Sequence, residues 1–221
     1  MRIAIMQPYF IPYAGYFRLF CATDLFVIYD CVQFVRRGWV HRNRLNNAKD
    51  QLEWLTLPIR KAPQDILLQN IEFQHNAQSI WDSRLQVFPK LFHINNELEF
   101  VLPKMMKIEF SPVDYIVTLL RSISQLLKFP FQIVKSSTLN VPPTLRGEER
   151  IIQITRQLGG KTYINLSGGR SLYDSNNFAK HGIKLLFLNE YIGSYESIIQ
   201  RLLNTSPKEL HSEISKQSKL D

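Results

Sequence analysis

The N-terminal segment of the chain constrains the fold most, because two apolar runs flank a helical pattern there. Ile3–Met6 is a short apolar run, and Leu25–Tyr29 is a second, continuous one. Between them, Pro12 suits the first turn of a helix that extends to about Ala22. A continuous apolar run is typical of a buried parallel strand. The pattern therefore predicts a strand–helix–strand unit with two parallel strands in one sheet.

Later apolar runs predict more strands of the same sheet. They are Phe131–Lys135, Thr162–Asn165 and Ile183–Leu188, and helical segments separate them. The alternating run Glu53–Ile59 is also predicted to be a strand. We expect an α/β fold with a mainly parallel, Rossmann-like sheet, helices on both faces and a helical insertion.

The whole chain, residues 1–221, is predicted to form a single α/β domain. The strand-poor stretch from about 75 to 128 is expected to be a helical insertion or lid, with helices over Gln78–Phe92 and Val113–Lys128. Residues 206–221 are predicted to be a terminal helix and tail, since Ser206 and Glu209 have the spacing of a capping box.

Composition excludes several classes of protein. No apolar run approaches the roughly 20 residues that span a bilayer, and the apolar run after Arg2 is too short for a signal peptide. Cys21 and Cys31 are too few for a disulfide framework or a four-ligand zinc site. The five histidines lack metal-ligand spacing. We therefore expect a cytoplasmic protein with no metal site and no membrane insertion.

Positive charge is concentrated in one part of the chain. The formal net charge is +8, and seven basic residues stand against Asp50 and Glu53 between Arg36 and Lys61. Planar guanidinium groups suit bidentate recognition of phosphate. A nucleotide-linked small molecule is the favoured ligand, whereas nucleic acid is supported by charge alone. The structural alternative is an exposed basic loop without a ligand.

Aromatic, amide and basic side chains follow the first two predicted strands, at the edge where open α/β sheets bind ligands. Ser167-Gly168-Gly169-Arg170 follows a third strand, and its amides can cradle an anion or form a tight turn with positive φ. We expect one pocket lined by Gln7, Tyr9, Tyr13, Asp30, Gln33, Arg37, Arg42, Asn43 and the Ser167–Gly169 turn. Its phosphate-bearing ligand is expected to contact Arg37, Arg42 and Arg44.

Two residues are candidates for catalysis. Asp30 ends the second strand and His41 lies among the arginines, so either can deprotonate an amine. The alternative for His41 is a structural or surface histidine. Cys31 lies beside Asp30, and a passive cysteine is the favoured interpretation of it.

Several segments together resemble the WbqC-like family. They are MQPYFIPYAGYFRLF, FVIYDCVQFVRRGWVHRNR and LTLPI, and then the pattern from GEERIIQITRQLGG through TYINLSGGRSLYD to HGIKLLFL. The resemblance extends to about Asn204. The family is bacterial and occurs among genes for O-antigen and other surface polysaccharides. A glycyl or other aminoacyl transfer to amino sugars has been suggested for it.

The resemblance implies a transferase that modifies a nucleotide-linked amino sugar, or alternatively a non-catalytic nucleotide-sugar binding protein of the same pathway. It specifies no cofactor. At Cys31 the family is expected to have aspartate, which weakens any mechanism with paired carboxylates at positions 30 and 31. The residues carried over by resemblance are Gln7, Pro8, Tyr9, Pro12, Tyr13, Gly15, Tyr16, Gln33, Phe34, Arg37, Trp39, Arg42, Asn43, Arg44, Asn165, Gly168, Gly169, Leu172 and Tyr173.

Overall fold

A parallel sheet forms the centre of the protein in the computed structural model, which describes residues 1–92 and 98–220. Seven strands are present in the described residues: β1 Arg2–Met6, β2 Leu25–Ile28, β3 Arg42–Asn46, β4 Leu52–Thr56, β5 Ile133–Lys135, β6 Thr162–Asn165 and β7 Lys184–Phe187. Five of them pair in parallel in the order β5-β2-β1-β6-β7. All the strands predicted for this sheet belong to it.

The helices of the described residues cover both faces of this sheet. They are α1 Ala14–Ala22, α2 Ala77–Leu85, α3 Leu102–Met106, α4 Pro112–Leu126, α5 Gly147–Gln157, α6 Ser175–Lys180, α7 Ile198–Leu202 and α8 Pro207–Lys216. Side chains alternate along β1: Ala4 belongs to one buried cluster, and Ile3 and Ile5 to another. The Ala4 cluster includes residues of α1, α4 and α8, and the Ile3 cluster residues of α5 and α6. The α/β fold with helices on both faces is confirmed.

A separate antiparallel hairpin corrects the interpretation of the basic region as a loop. β3 pairs with β4, opposing Arg44 to Trp54 and Asn43 to Leu55. Burial alternates along β3, where Asn43 and Leu45 are buried and Arg44 is exposed. Arg42 and Arg44 therefore project from a strand, whereas Arg36 and Arg37 lie in a turn before it. The strand predicted over Glu53–Ile59 begins one residue earlier and ends at Thr56.

The stretch 75–128 is helical through most of its described residues, and its side chains join the same buried cluster as α1. The helix predicted over Gln78–Phe92 ends at Leu85, and Pro89 begins a 3₁₀ turn instead. Residues 93–97 of this stretch and residue 221 of the predicted tail lie outside the described residues. Its action as a lid stays a prediction.

Helix caps follow the sequence signals closely. Ser111 accepts a hydrogen bond from the Asp114 backbone N–H at the start of α4. Ser206 and Glu209 form the predicted capping box of α8. In the part of the chain that is described, no helix combines the length and apolarity needed to cross a membrane.

Candidate functional site

The carboxyl ends of the parallel strands lie on one edge, and the chain leaves them toward opposite faces. The connection from β1 to β2 contains α1, which packs in the Ala4 cluster. The connection from β6 to β7 contains α6, whose Phe178 packs in the Ile3 cluster. Because β1 and β6 are neighbours, a topological switch point lies between them. Ligands of open α/β proteins bind at such points.

A cavity of about 340 Å³, here called the aromatic cavity, lies beside the loop that follows β1. Its lining consists of Tyr9, Pro12, Tyr13, Trp39, Asn43, Arg44 and Tyr195. Tyr13 stacks on Tyr195 with ring centroids 5.0 Å apart and meets Tyr191 edge-on at 5.5 Å. Four aromatic rings and one guanidinium group therefore surround this space.

Burial further favours the neutral form of Tyr9 and Tyr13, two tyrosines that line the aromatic cavity, by raising the pKa of each. It raises the pKa of Tyr9 above its ordinary value. The pKa of Tyr13 is raised to about 12, first by burial and then by the neighbouring Tyr195. Their hydroxyl groups can thus donate hydrogen bonds to a ligand.

Tyr16 does not line the cavity, which corrects its expected binding role. Its side chain is fully buried, and its hydroxyl donates to the carbonyl oxygen of Gln7 at 2.8 Å. Gln7 is half-buried and lies outside the aromatic cavity lining. The hydrogen bond between them therefore ties the start of the β1–α1 loop to the buried side of α1.

The arginines of the hairpin differ in what they contact. Arg44 lines the aromatic cavity. The Arg42 guanidinium lies 4.0 Å from the ring centroid of Trp54 and donates to the backbone carbonyl of Arg37. Arg37 is exposed, has a φ of 64°, and is outside the cavity lining. Of the three arginines expected to hold phosphate, the cavity thus includes one.

A second cavity of about 580 Å³, here called the basic cavity, lies beyond the ends of β2 and β5. It includes Gln33 of the predicted set, together with Cys31, Arg146 and Arg150, which the sequence analysis did not assign to a site. The remaining lining residues are Tyr29, Val32, Asp65, Leu67, Gln69, Ser136, Ser137, Leu139, Val141, Pro143 and Gly147. The predicted single pocket is therefore divided between two cavities.

Asp30 is tied into the fold. Its side chain is 1 % exposed. The carboxylate accepts hydrogen bonds from the Ser136 hydroxyl at 2.9 Å, from the Ser137 backbone N–H at 2.9 Å and from the Ser137 hydroxyl at 2.6 Å. It lines neither cavity. This geometry joins the end of β2 to the turn after β5.

His41 also lies outside the lining of both cavities. Its ring meets Phe34 edge-on at 4.9 Å, and its Nδ1 is buried without a hydrogen-bond partner among the described residues. Burial, reinforced by Arg42 and Arg84, lowers the pKa of His41 to about 4. The imidazole is therefore neutral at pH 7, and the lowered pKa makes its free nitrogen a weaker base than an ordinary histidine.

The third motif forms a 3₁₀ turn over Ser167–Leu172. A Cβ on Gly169 would lie 2.6 Å from Nδ2 of Asn165, whereas one on Gly168 would meet no described atom within 4 Å. Neither glycine has a positive φ, so the structural alternative of a turn with positive φ does not apply. Tyr173 packs against Tyr163 at 5.6 Å. Ser167, Gly168, Gly169, Asn165 and Tyr173 line neither cavity, which removes the third motif from the shared pocket.

Arg150 and Tyr195 line the cavities but were not predicted to do so, and the sequence pattern pointed to Arg150 alone. Arg150 precedes the buried Ile151 and lies one turn before the buried Ile154, so a basic residue interrupts the apolar face of α5. A basic residue on an apolar helix face indicates a buried polar role, so the sequence pattern could have identified Arg150. Tyr195 carried no such signal, because it reaches the aromatic cavity through tertiary packing on Tyr13.

Comparison with known proteins gives a family and little else. A model of the WbqC-like protein family matches residues 7–205. A protein of Mycobacterium tuberculosis (strain ATCC 25618 / H37Rv), described as uncharacterized protein Rv1507c, is 23% identical over 192 residues, which cover 85% of this chain and 82% of that protein. No solved structure matches the chain.

Proposed function

This chain belongs to the WbqC-like protein family, and we propose that it binds a nucleotide-linked amino sugar in the aromatic cavity and transfers an acyl or aminoacyl group to it. The pathway would be the synthesis of a bacterial surface polysaccharide such as O-antigen. The observation that carries the proposal is the lining of the aromatic cavity, where Tyr9, Tyr13, Trp39 and Tyr195 surround a space that Arg44 also reaches.

Aromatic rings suit both halves of such a ligand. A nucleobase stacks on a flat ring, and the apolar face of a sugar packs on one. At about 340 Å³ the cavity falls within the range typical of small-molecule sites, roughly 300–1,000 Å³. The neutral hydroxyls of Tyr9 and Tyr13 supply donors for sugar oxygens.

Arg44 supplies the charge that a diphosphate needs. It is the one charged residue among the described residues that line this cavity, and the guanidinium groups of Arg42 and Arg44 both lie near the ring of Trp54. A guanidinium offers a planar fork that matches phosphate oxygens. The proposed orientation therefore places the diphosphate at the hairpin and the rings of the ligand among the tyrosines.

A second candidate is binding without catalysis, and one observation favours it. Asp30 and His41, the predicted bases, line neither cavity. In that case the chain would hold the nucleotide sugar for another component of the pathway.

Calorimetric titration with a panel of nucleotide sugars and free nucleotides tests the binding step. Arg44→Ala should lower affinity by about 10- to 150-fold, since a hydrogen bond to a charged group contributes roughly 1.5–3 kcal/mol. Arg60→Ala is the matched control, because Arg60 pairs with Glu72 on the surface at 3.0 Å. Absence of nucleotide-sugar binding, or equal affinities in wild type and Arg44→Ala, would contradict the proposal.

The transfer step is tested by incubating the bound amino sugar with activated amino acids and measuring its mass. A gain in mass that depends on the protein supports the transferase. Tight binding with an unchanged ligand mass supports the non-catalytic candidate.

A further inference from the structure

We propose that the basic cavity is a second ligand site, which binds a phosphoryl group through Arg150 and Arg146. This site is separate from the aromatic cavity, since the two linings share no residue. The inference goes beyond the proposed function and does not depend on it.

Arg150 is a buried cation without a salt-bridge partner in the described residues. It is 7 % exposed, and none of the salt bridges found there includes it. Burying an unpaired charge is costly, and proteins normally pair such a group or hydrogen-bond it fully. An anionic ligand in the adjoining cavity supplies the missing charge.

The hydrogen bonds of Arg150 leave one part of its guanidinium group unsatisfied. Nη1 donates to the carbonyl oxygens of Pro142 at 3.1 Å and Leu145 at 3.4 Å. Nη2 donates to Sγ of Cys31 at 3.1 Å, and sulfur is a weak acceptor. Nε is buried without any partner in the described residues. Nε and Nη2 therefore lack a strong acceptor in the described residues, and Arg150 lines the cavity in which an oxyanion would supply one.

Other positive groups converge on the same space. Arg146 is exposed at the cavity wall and forms the N-terminal boundary of α5, where Gly147 also lines the cavity. The amino end of a helix favours anions because its first backbone N–H groups point outward.

The nearby carboxylates form no salt bridge with Arg150 or Arg146 in the described residues. Glu148 accepts from the Asn177 side chain and the Asp174 backbone N–H at the start of α6. Asp30 is occupied by Ser136 and Ser137. Asp65 is exposed and is the one acidic residue among the described residues of the lining, against two arginines. A dianionic phosphoryl group suits this balance better than a single carboxylate.

Calorimetry and thermal unfolding with inorganic phosphate and pyrophosphate, at constant ionic strength, test the site. Both probes should bind the wild type and raise its apparent stability, because a ligand that binds the folded state alone stabilises it. Arg150→Met should weaken the affinity by about 10- to 150-fold, and Arg146→Ala by about 10-fold. Arg156→Ala, in the last turn of the same helix and exposed, is the matched control and should leave the affinity unchanged.

Arg146→Ala keeps the test decisive if Arg150→Met fails to fold, since Arg146 is exposed. Alkylation provides an independent readout, because Cys31 lines the cavity and Cys21 lies in α1. Pyrophosphate should slow the modification of Cys31 several-fold and leave that of Cys21 unchanged. Absence of phosphate binding, an equal effect of acetate, or unaltered affinity in the folded arginine variants would overturn the proposal.

Discussion

The side-chain amide of Asn43 donates to the backbone carbonyl oxygen of Ile11 at 2.9 Å, so a buried residue of the hairpin holds the loop that follows β1. The same amide nitrogen lies 3.1 Å from the carbonyl oxygen of Phe10. Ile11 has a φ of 39°, which a β-branched residue rarely adopts and which stores strain. Because Tyr9 and Pro12 flank this turn, Asn43 fixes the wall of the aromatic cavity.

Replacing Asn43 by alanine should destabilise the protein. The change removes the donor for two buried carbonyl groups, and leaving such groups unsatisfied costs about 1–3 kcal/mol. Urea denaturation measures the free energy of unfolding. Asn46→Ala, in the same strand with a half-buried side chain, is the control and should change it by less than about 0.5 kcal/mol. Equal stability of wild type and Asn43→Ala would show that the loop does not depend on this amide.

The main sheet was predictable because each of its strands corresponds to a short apolar run in the sequence. The continuous apolar run Leu25–Tyr29 and the helix before it determine a parallel pair by themselves. β3 was not predictable in this way. Its two buried positions are Asn43 and Leu45, and they alternate with the exposed Arg44 and the half-buried Arg42. Its strand conformation depends on pairing with β4, which is a tertiary interaction.

The candidate site was predictable where one loop or one hairpin supplies the residues. Tyr9, Tyr13 and Trp39 could be found from their position after strands, and all three line the aromatic cavity. Tyr16 is of the same residue type and lies close to them in the chain, but it faces the core. Which tyrosine of a helical turn points inward depends on the packing of α1 against the sheet, and the sequence pattern alone did not resolve it.

Gly15→Ala should disturb the aromatic cavity by displacing the ring of Tyr13, which lines it. A Cβ at position 15 would lie 2.3 Å from Cε2 of Tyr13 and 2.8 Å from Cγ of Tyr191, so both rings must move. Overpacking costs about 1–3 kcal/mol, and the helical preference for alanine returns about 0.5–1 kcal/mol. We expect a net loss of about 1–2 kcal/mol in the free energy of unfolding.

Gly168→Ala is the matched glycine control. A Cβ there meets nothing within 4 Å and the φ of Gly168 is not positive, so stability should stay within about 0.5 kcal/mol of wild type. Chemical denaturation of both variants makes the comparison. If Gly15→Ala and Gly168→Ala have the same free energy of unfolding, the Tyr13 and Tyr191 rings move aside without destabilising the protein.

His41 should make stability depend on pH between about 4 and 6.5. Its pKa is lowered from 6.5 to about 4 in the fold, so the unfolded chain binds more protons in this interval. Stability therefore increases with pH from about 4, and the contribution is complete above about 6.5. Because the side chain is partly exposed, we expect only about 1–2 kcal/mol from this group.

His41→Gln separates this effect from the titration of carboxylates. As the pH falls from 7 to 4.5, the unfolding free energy of the wild type should decrease by about 1–2 kcal/mol more than that of His41→Gln. Denaturation at several pH values measures it. A difference that stays constant with pH would mean that the imidazole titrates normally in the folded protein.

Trp39 should contribute to ligand affinity with little effect on stability. Its side chain is 44 % exposed, lines the aromatic cavity and lies 5.5 Å from Trp54 between ring centroids. Stacking of a base on an aromatic side chain contributes roughly 1–3 kcal/mol, so Trp39→Ala should lower the affinity for a nucleotide sugar by about 5- to 150-fold. Trp39→Phe should recover part of the loss, because a smaller ring still stacks.

Phe110→Ala, which removes a 72 % exposed ring outside the cavity lining, should bind like wild type in the same calorimetric titration. If Trp39→Ala and Phe110→Ala bind equally well, the ligand does not stack on Trp39, and the base must lie against the tyrosines instead.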